Sequence, residues 1–320
     1  MGVTNMTQPV YLGIDISKRT LDIATVDRYI GQVDNDDAGY EQLLKQLASL
    51  GQLHIGIEAS GGYERPLLKY LLTAGFHVYR LEPARVRHFA KSINWHAKTD
   101  KIDAQLIARF VQTTGPRPTS KPDKNAEKLR VLRDRRKQIV EDRVREQNRL
   151  ESCDDASIRR MINQSIARLQ KFESQLDAQL TRCLNKSPKL KAKAAVLTQV
   201  IGVADQTAAT LLAHLPELGT VNRQQIASLA GLAPYAHDSG RYQGKRRIRG
   251  GRAAVRTALY MACLCAVQHD AVMRTFYQRL IAAGKLRKVA LTACARKLLV
   301  HLNTLCAQAQ ALPGKKAAGA

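Results

Sequence analysis

The chain lacks what an oxidising compartment, a zinc module or a membrane would require. Its six cysteines (Cys153, Cys183, Cys263, Cys265, Cys294 and Cys306) show no C-x-x-C spacing and no histidines at zinc intervals. That excludes a disulfide scaffold and the common zinc folds. Most of them stand at apolar helical positions and read as buried free thiols, the usage of a cytosolic protein. The longest apolar run, residues 258–267, is about half of what a bilayer-spanning helix needs. The opening Met1-Gly-Val-Thr-Asn-Met-Thr-Gln-Pro has neither a basic segment nor an apolar one behind it, so no secretory signal is read. Acids are scarce too, with 27 Asp+Glu against 51 Lys+Arg.

What is present follows from that imbalance. A net charge of +24 and a pI near 10.1 call for a polyanionic partner, because cations that neutralise phosphates release condensed counterions. An anionic membrane would demand an anchor or a basic amphipathic terminus, and the sequence has neither. Nucleic acid is the partner expected. With 320 residues, 45% of them hydrophobic, the chain can fold two domains, each with its own core.

Residues 8–115 alternate strand and helix patterns. Strands are expected at 10–16, 21–26, 30–33, 54–58 and 77–81, and helices at 40–50, 64–74, after Pro83 and at 100–112. Three early strands followed by strand–helix alternation describe a mixed α/β sheet. Residues 114–123 hold three prolines and a glycine with no apolar side chain, which marks a linker. From there to residue 188 a helical hairpin is expected, broken at Ser152-Cys-Asp-Asp-Ala-Ser, with an apolar stripe on its second helix: Ile158, Ile162, Ile166, Leu169, Phe172, Leu176 and Leu180. Residues 189–310 read as a mainly α domain, and 311–320 as a disordered tail. Near Gly202 the pattern fits a helix-hairpin-helix offering backbone N–H groups to phosphate, and equally an ordinary helical corner.

Two constellations could carry chemistry. The first is acidic. Asp15 lies within an apolar strand, where an unpaired carboxylate is costly to bury, and Glu58 ends another. Asp100 and Asp103 share a helix face. Each alone is also explained by a turn or a helix cap, but the four together, in a basic chain, point to captured divalent metal. Paired metal ions can stabilise both the attacking and leaving oxygens of a phosphoester. The second constellation is the glycine-rich basic loop from Pro234 through Arg252. Arg241, Lys245, Arg246, Arg247, Arg249 and Arg252 would grip phosphate there, ahead of a helix whose N-terminus favours an anion. Ser239, between Asp238 and Gly240, could attack phosphorus with those guanidinium groups nearby. His237 is two residues away and could act as its base, or be an ordinary surface histidine.

Four motifs in this order carry a resemblance: Gly-Ile-Asp15-Ile-Ser-Lys, Ile-Glu58-Ala-Ser-Gly-Gly-Tyr, Lys-Thr-Asp100-Lys-Ile-Asp103-Ala, and Gly231-Leu-Ala-Pro through Ser239-Gly to Gly250-Gly251. The chain resembles the DEDD transposases of bacterial insertion sequences, which include the Piv DNA invertase and the bridge-RNA-guided recombinases. The resemblance implies a RuvC-like, RNase H-type α/β N-terminal domain whose Asp15, Glu58, Asp100 and Asp103 bind Mg2+, or Mn2+ in its place. It implies a coiled-coil hairpin used in assembly and a C-terminal transposase domain with Ser239 as nucleophile, forming a covalent 5′-phosphoserine. As partners it implies donor and target DNA, a structured guide RNA from the element's non-coding end, and further copies of the chain in a dimer or tetramer. The work would be done in the bacterial cytoplasm, at the nucleoid.

Rival readings need fewer of these parts. A RuvC-like nuclease or junction resolvase needs only the carboxylates, and a Piv-type invertase needs no guide RNA. An actin-like kinase would share a phosphate loop like Gly13-Ile-Asp, but it needs a second glycine-rich loop that this sequence lacks. An architectural nucleic-acid binder would need no acids at all.

Overall fold

A computed structural model of the chain describes residues 9–311 except Ser49, residues 96–98, Ser120, Pro122, His237, Arg241 and Lys245. The chain divides at residue 121 into two compact units.

The first unit is built on a five-stranded sheet. Its strands are β1 (Val10–Ile16), β2 (Thr20–Thr25), β3 (Tyr29–Asp34), β4 (Leu53–Glu58) and β5 (His77–Leu81), in the order β3-β2-β1-β4-β5. The first three pair antiparallel, whereas β4 and β5 run parallel to β1. Helices α1 (Asp37–Leu47), α2 (Glu64–Thr73), α3 (Pro83–Ser92) and α4 (Asp100–Thr114) complete the unit. The mixed α/β sheet is therefore as expected, with boundaries shifted by a few residues.

Period-2 alternation assigns the two faces of the sheet. Leu12, Ile14 and Ile16 of β1 and Leu53, Ile55 and Ile57 of β4 are buried in a core with Leu43 and Leu47 of α1 and Leu67 and Leu71 of α2. Each such aliphatic side chain stabilises the fold by about 1.5–3 kcal/mol. The intervening residues Gly13 and Asp15, Gly56 and Glu58 face the other way, toward α4. There Tyr79, Leu81, Ile107, Phe110 and Val111 form a second, smaller core.

The linker composition at 114–123 is only partly a linker in structure. The backbone N–H of Thr119 donates to the Val78 carbonyl at 2.7 Å, and the Thr119 hydroxyl accepts from the Arg80 N–H at 2.8 Å. The segment thus satisfies polar groups of β5 that would otherwise be left open at the sheet edge.

The second unit begins with the helical pair α5 (Lys124–Glu151) and α6 (Ala156–Lys186). Asp155 caps α6 by accepting from the N–H groups of Ser157 and Ile158. The pairs Arg136–Asp177 and Arg143–Glu173 set the helices antiparallel. The apolar stripe on α6 is not wholly in the seam: Ile166 and Leu180 are buried, whereas Ile158 and Phe172 are 46% and 49% exposed. Leu129 and Leu132 of α5 and Leu180 and Cys183 of α6 join one core with the helices that follow. Those are α7 (Pro188–Thr198), α8 (Asp205–His214), α9 (Arg223–Leu229), α10 (Ala253–His269), α11 (Ala271–Ala282) and α12 (Arg287–Ala311), with a short pair β6 (Pro234–Tyr235) and β7 (Arg247–Ile248) between α9 and α10.

Cys183, Cys263, Cys294 and Cys306 are buried free thiols as expected, whereas Cys265 is exposed. Gly202 has a local packing reason. It sits at φ +89°, and a Cβ there would lie 2.4 Å from the carbonyl oxygen of Ala262 in α10. Among the described residues no helix is long and apolar enough to cross a membrane. The tail beyond Ala311 lies outside the described residues.

Candidate active site

Asp15 and Glu58 reach the same edge of the sheet because β1 and β4 run parallel with Ile14 opposite Ile57. Asp100 and Asp103 arrive from α4. Thr99 caps that helix, its hydroxyl accepting from the Ile102 N–H, so both aspartates fall in the first turn. A helix N-terminus carries about half a positive charge there.

Two glycines decide how closely α4 lies on the sheet. Gly13 and Gly56 are register partners. A Cβ on Gly13 would stand 2.0 Å from the Ala104 carbonyl oxygen, and one on Gly56 2.7 Å from Val111 Cγ2. Ala24, opposite Gly13 on β2, extends the row of small residues. The helix beds directly on backbone, and its first turn is drawn down to the strand ends.

As a result, one carboxylate oxygen from each of Asp15, Asp100 and Asp103 lies within 4.8 Å of the others. Glu58 stands outside this triad but close enough to act on Asp15. The Asp15 carboxyl is pushed up from its ordinary 3.8 to about 6. Burial is the largest cause, followed by the negative charge of Asp103, with Glu58 and Asp100 adding to it. A hydrogen bond from the Ile16 N–H works against them. An all-oxygen donor set of this kind suits a hard divalent cation.

Sequence reading passed over three supporting residues. Asp22, opposite Asp15 on β2, is buried at 4% exposure; it accepts from Tyr29 Oη at 2.7 Å and Gln32 Nε2 at 3.0 Å. Lys101, between the two α4 aspartates, sits 5.0 Å from the centre of the Tyr29 ring. Glu64 is fully buried and holds the turn after Glu58, accepting from the N–H groups of Ser60 and Gly62 while pairing with Arg80 at 2.8 Å. The repeated triplets Gly-Ile-Asp15 and Gly-Ile-Glu58 were the available signal for the glycine row. Nothing comparable marked Asp22 or Glu64.

In the second unit, Ser239 is exposed in a tight hairpin. Its N–H donates to the Tyr242 carbonyl at 3.0 Å and its carbonyl accepts from the Tyr242 N–H at 2.9 Å. Gly240 turns the chain at φ +55°, and Asp238 accepts from the Gly244 N–H at 3.0 Å. The loop is pinned at its base by two glycines in close approach: a Cβ on Gly251 would meet the Gly231 nitrogen at 2.1 Å. Arg246, Arg247 and Arg249 are exposed on this loop. Arg252 is engaged elsewhere, its guanidinium paired through both terminal nitrogens with Glu217, at 2.6 Å to Oε1. Arg241, Lys245 and His237 lie outside the described residues.

Comparison with known proteins identifies relatives along most of the chain. Residues 12–155 match the DEDD-type IS110 model described as "Transposase", and residues 194–278 the model of "Transposase IS116/IS110/IS902 family". The "Pilin gene-inverting protein" of Moraxella lacunata is 28% identical over 300 residues, covering 90% of this chain and 93% of that protein. Its counterpart in Moraxella bovis has the same identity and coverage. The "Insertion element IS900 uncharacterized 42 kDa protein" of Mycobacterium paratuberculosis is 26% identical, covering 94% of this chain and 96% of its own.

Proposed function

This chain belongs to the IS110 family of transposases and is a DNA-recombining enzyme, and from that premise we propose that it moves an insertion sequence through a covalent phosphoserine. The N-terminal unit is a RuvC-like domain of the RNase H type. Its strand order, with three antiparallel strands followed by two parallel ones, supports this, as do the acids gathered at the strand ends. Asp15, Glu58, Asp100 and Asp103 hold Mg2+, with Mn2+ able to replace it. When bound, the metal supplies positive charge for the attacking and leaving oxygens of the phosphoester.

The chain's own groups do the rest. Arg246, Arg247 and Arg249 hold backbone phosphate beside Ser239. The serine Oγ attacks phosphorus, forming an O–P bond as the P–O3′ bond breaks. The serine proton passes by way of a base to the departing 3′ oxygen, so that the strand leaves as a 3′-hydroxyl. A 3′-hydroxyl from another strand then attacks the phosphoserine and regenerates Ser239. Donor and target DNA are chosen by a structured guide RNA from the element's non-coding end, base pairing supplying the sequence choice. The α5–α6 pair serves as a coiled coil in a dimer or tetramer, acting in the cytoplasm on nucleoid DNA.

The single observation that carries this reading is the convergence of Asp15, Asp100 and Asp103 within 4.8 Å in a chain of net charge +24. A plasmid recombination assay tests it. Asp15→Asn and Ser239→Ala should each abolish recombinant product, and Ser239→Ala should also abolish any protein–DNA adduct. Joined products from Ser239→Ala would overturn the covalent step, and full activity in Asp15→Asn with Asp103→Asn would overturn the metal site.

A second reading rests on the pilin gene-inverting relatives, which match over 93% of their length. In it the chain inverts DNA without a guide. Recombination by purified, RNase-treated protein would select this reading, and loss of activity restored by added element RNA would select the guided one.

A further inference from the structure

The serine hairpin stands beside a cleft of about 820 Å³, lined by Tyr235, Tyr242, Arg247, Ile248 and Arg249 among others. Tyr242 is hydrogen-bonded to Ser239 through both backbone groups. Partners in such a pair project side chains from the same face, about 5.5 Å apart. Tyr242, which lines the cleft, is therefore the cross-strand neighbour of Ser239. Tyr235, which also lines the cleft, is register partner to Arg247, and its hydroxyl is tethered to Ser228 Oγ at 3.0 Å.

These rings do no work for the core. Tyr235 is 49% and Tyr242 65% exposed, and beside Tyr63 they are the strongly exposed tyrosines among the described residues. Arginines that grip duplex phosphate need no aromatic neighbours. Exposed rings alternating with guanidinium groups are instead what a single strand requires, with bases stacking on the rings and phosphates meeting the cations.

We propose that this cleft takes an unpaired nucleotide of the DNA strand under attack, its base stacked on Tyr242 with Tyr235 as a second platform, and its phosphate on Arg247 and Arg249. The proposal rests on Ser239 being the nucleophile for its meaning, but the binding it describes is measured without strand cleavage. The attacked strand is thus locally unstacked, with the scissile phosphate presented beside the hydroxyl rather than within a closed helix.

The test uses the full-length protein and two DNA duplexes that differ only in one unpaired 2-aminopurine, with an RNA oligonucleotide carrying the same unpaired base as a third probe. Wild type and Tyr242→Phe should bind the bulged DNA more tightly than the paired one and quench its fluorescence. Tyr242→Ala should weaken binding to the bulged DNA by roughly 5- to 150-fold, the range for one base–aromatic stack, and leave the paired duplex unchanged. Thermal unfolding of Tyr242→Ala should match wild type, since the ring is exposed. Equal affinity of wild type for bulged and paired DNA, an equal loss on both in Tyr242→Ala, or quenching confined to the RNA would each overturn the proposal. Adduct formation by wild type but not Ser239→Ala, assayed separately, reports on the nucleophile and not on the cleft.

Discussion

Gly13 lies so tightly beneath α4 that a Cβ on it would stand 2.0 Å from the carbonyl oxygen of Ala104. With the close approach at Gly56, that contact sets the height of Asp100 and Asp103 above Asp15, because both aspartates stand in the first turn of the helix. Sheet and helix each contribute half of the acidic cluster, and the missing side chain joins the halves.

Gly13→Ala should therefore act on stability and on the site together. Forcing a methyl against backbone costs roughly 1–3 kcal/mol, and metal affinity should fall as the triad opens. Gly31→Ala is the control, since nothing lies within 4 Å of its added carbon; its change should stay within about 0.5 kcal/mol. Urea melts and Mn2+ titration of both variants check this.

Asp15 makes stability depend on pH in an unusual direction. Its folded pKa of about 6 exceeds the ordinary 3.8, so the fold favours the protonated form. Below pH 3.8 the group is neutral folded or unfolded and costs nothing. The penalty grows as pH rises and is complete above about 6. Asp15→Asn should then raise the melting temperature of metal-free protein at pH 7.5 by about 4 °C, as a relief on the order of 1 kcal/mol does in a domain of this size. At pH 4 the gain should vanish. Divalent cation should stabilise wild type more than the variant.

Glu64 should show the opposite sign. Burial alone would raise its pKa, but Arg80 and the N–H donors outweigh it and hold the carboxyl below its usual 4.5. The stabilisation is present above pH 4.5 and is lost as pH falls through the folded value. Glu64→Gln should cost roughly 1–3 kcal/mol at pH 7, toward the low end because Arg80 is half exposed to solvent, and less at an acidic pH well below 4.5. Denaturant titrations at the two pH values decide it.

Gly251→Ala separates the two units. A side chain there meets the Gly231 nitrogen at 2.1 Å and sits at φ +69°, so the base of the serine loop must open. Adduct formation should fall at least 10-fold, as catalysis does when a reacting group is misplaced by about 1 Å. Mn2+ binding by the first unit should be unchanged in calorimetry.

Arg247→Ala should weaken DNA binding across sequences and reduce the salt slope of log affinity by about 1, the signature of one lost phosphate contact. Arg252→Ala should instead lower the melting temperature, since its guanidinium is held by Glu217. Binding isotherms over a range of salt, beside thermal melts, distinguish the two roles.

Much of this protein was legible in one dimension. The apolar run around Leu12, Ile14 and Ile16 announced a strand, and the polar break before the apolar stripe, where Asp155 caps α6, announced a hairpin of two helices. These are local signals, carried by neighbours a few residues apart. The four acids could be named for the same reason, each closing a recognisable local pattern. Ile158 and Phe172 show where such patterns stop: spacing placed them on one stripe, but only the partner helix decides how far a seam extends.

Sequence order alone thus gave away the kinds of element, the excess of positive charge and the motifs in which the acids and the serine stand, since propensity, charge and period are properties of short segments. Tertiary structure decided which acids meet. It drew Asp15, Asp100 and Asp103 together with Glu58 beside them, tied Arg252 to Glu217 rather than leaving it to phosphate, and set Tyr242 across from Ser239. Those outcomes depend on how closely separate pieces of backbone approach, a distance set by packing and by the absence of a methyl at Gly13 and Gly251, which no local pattern encodes.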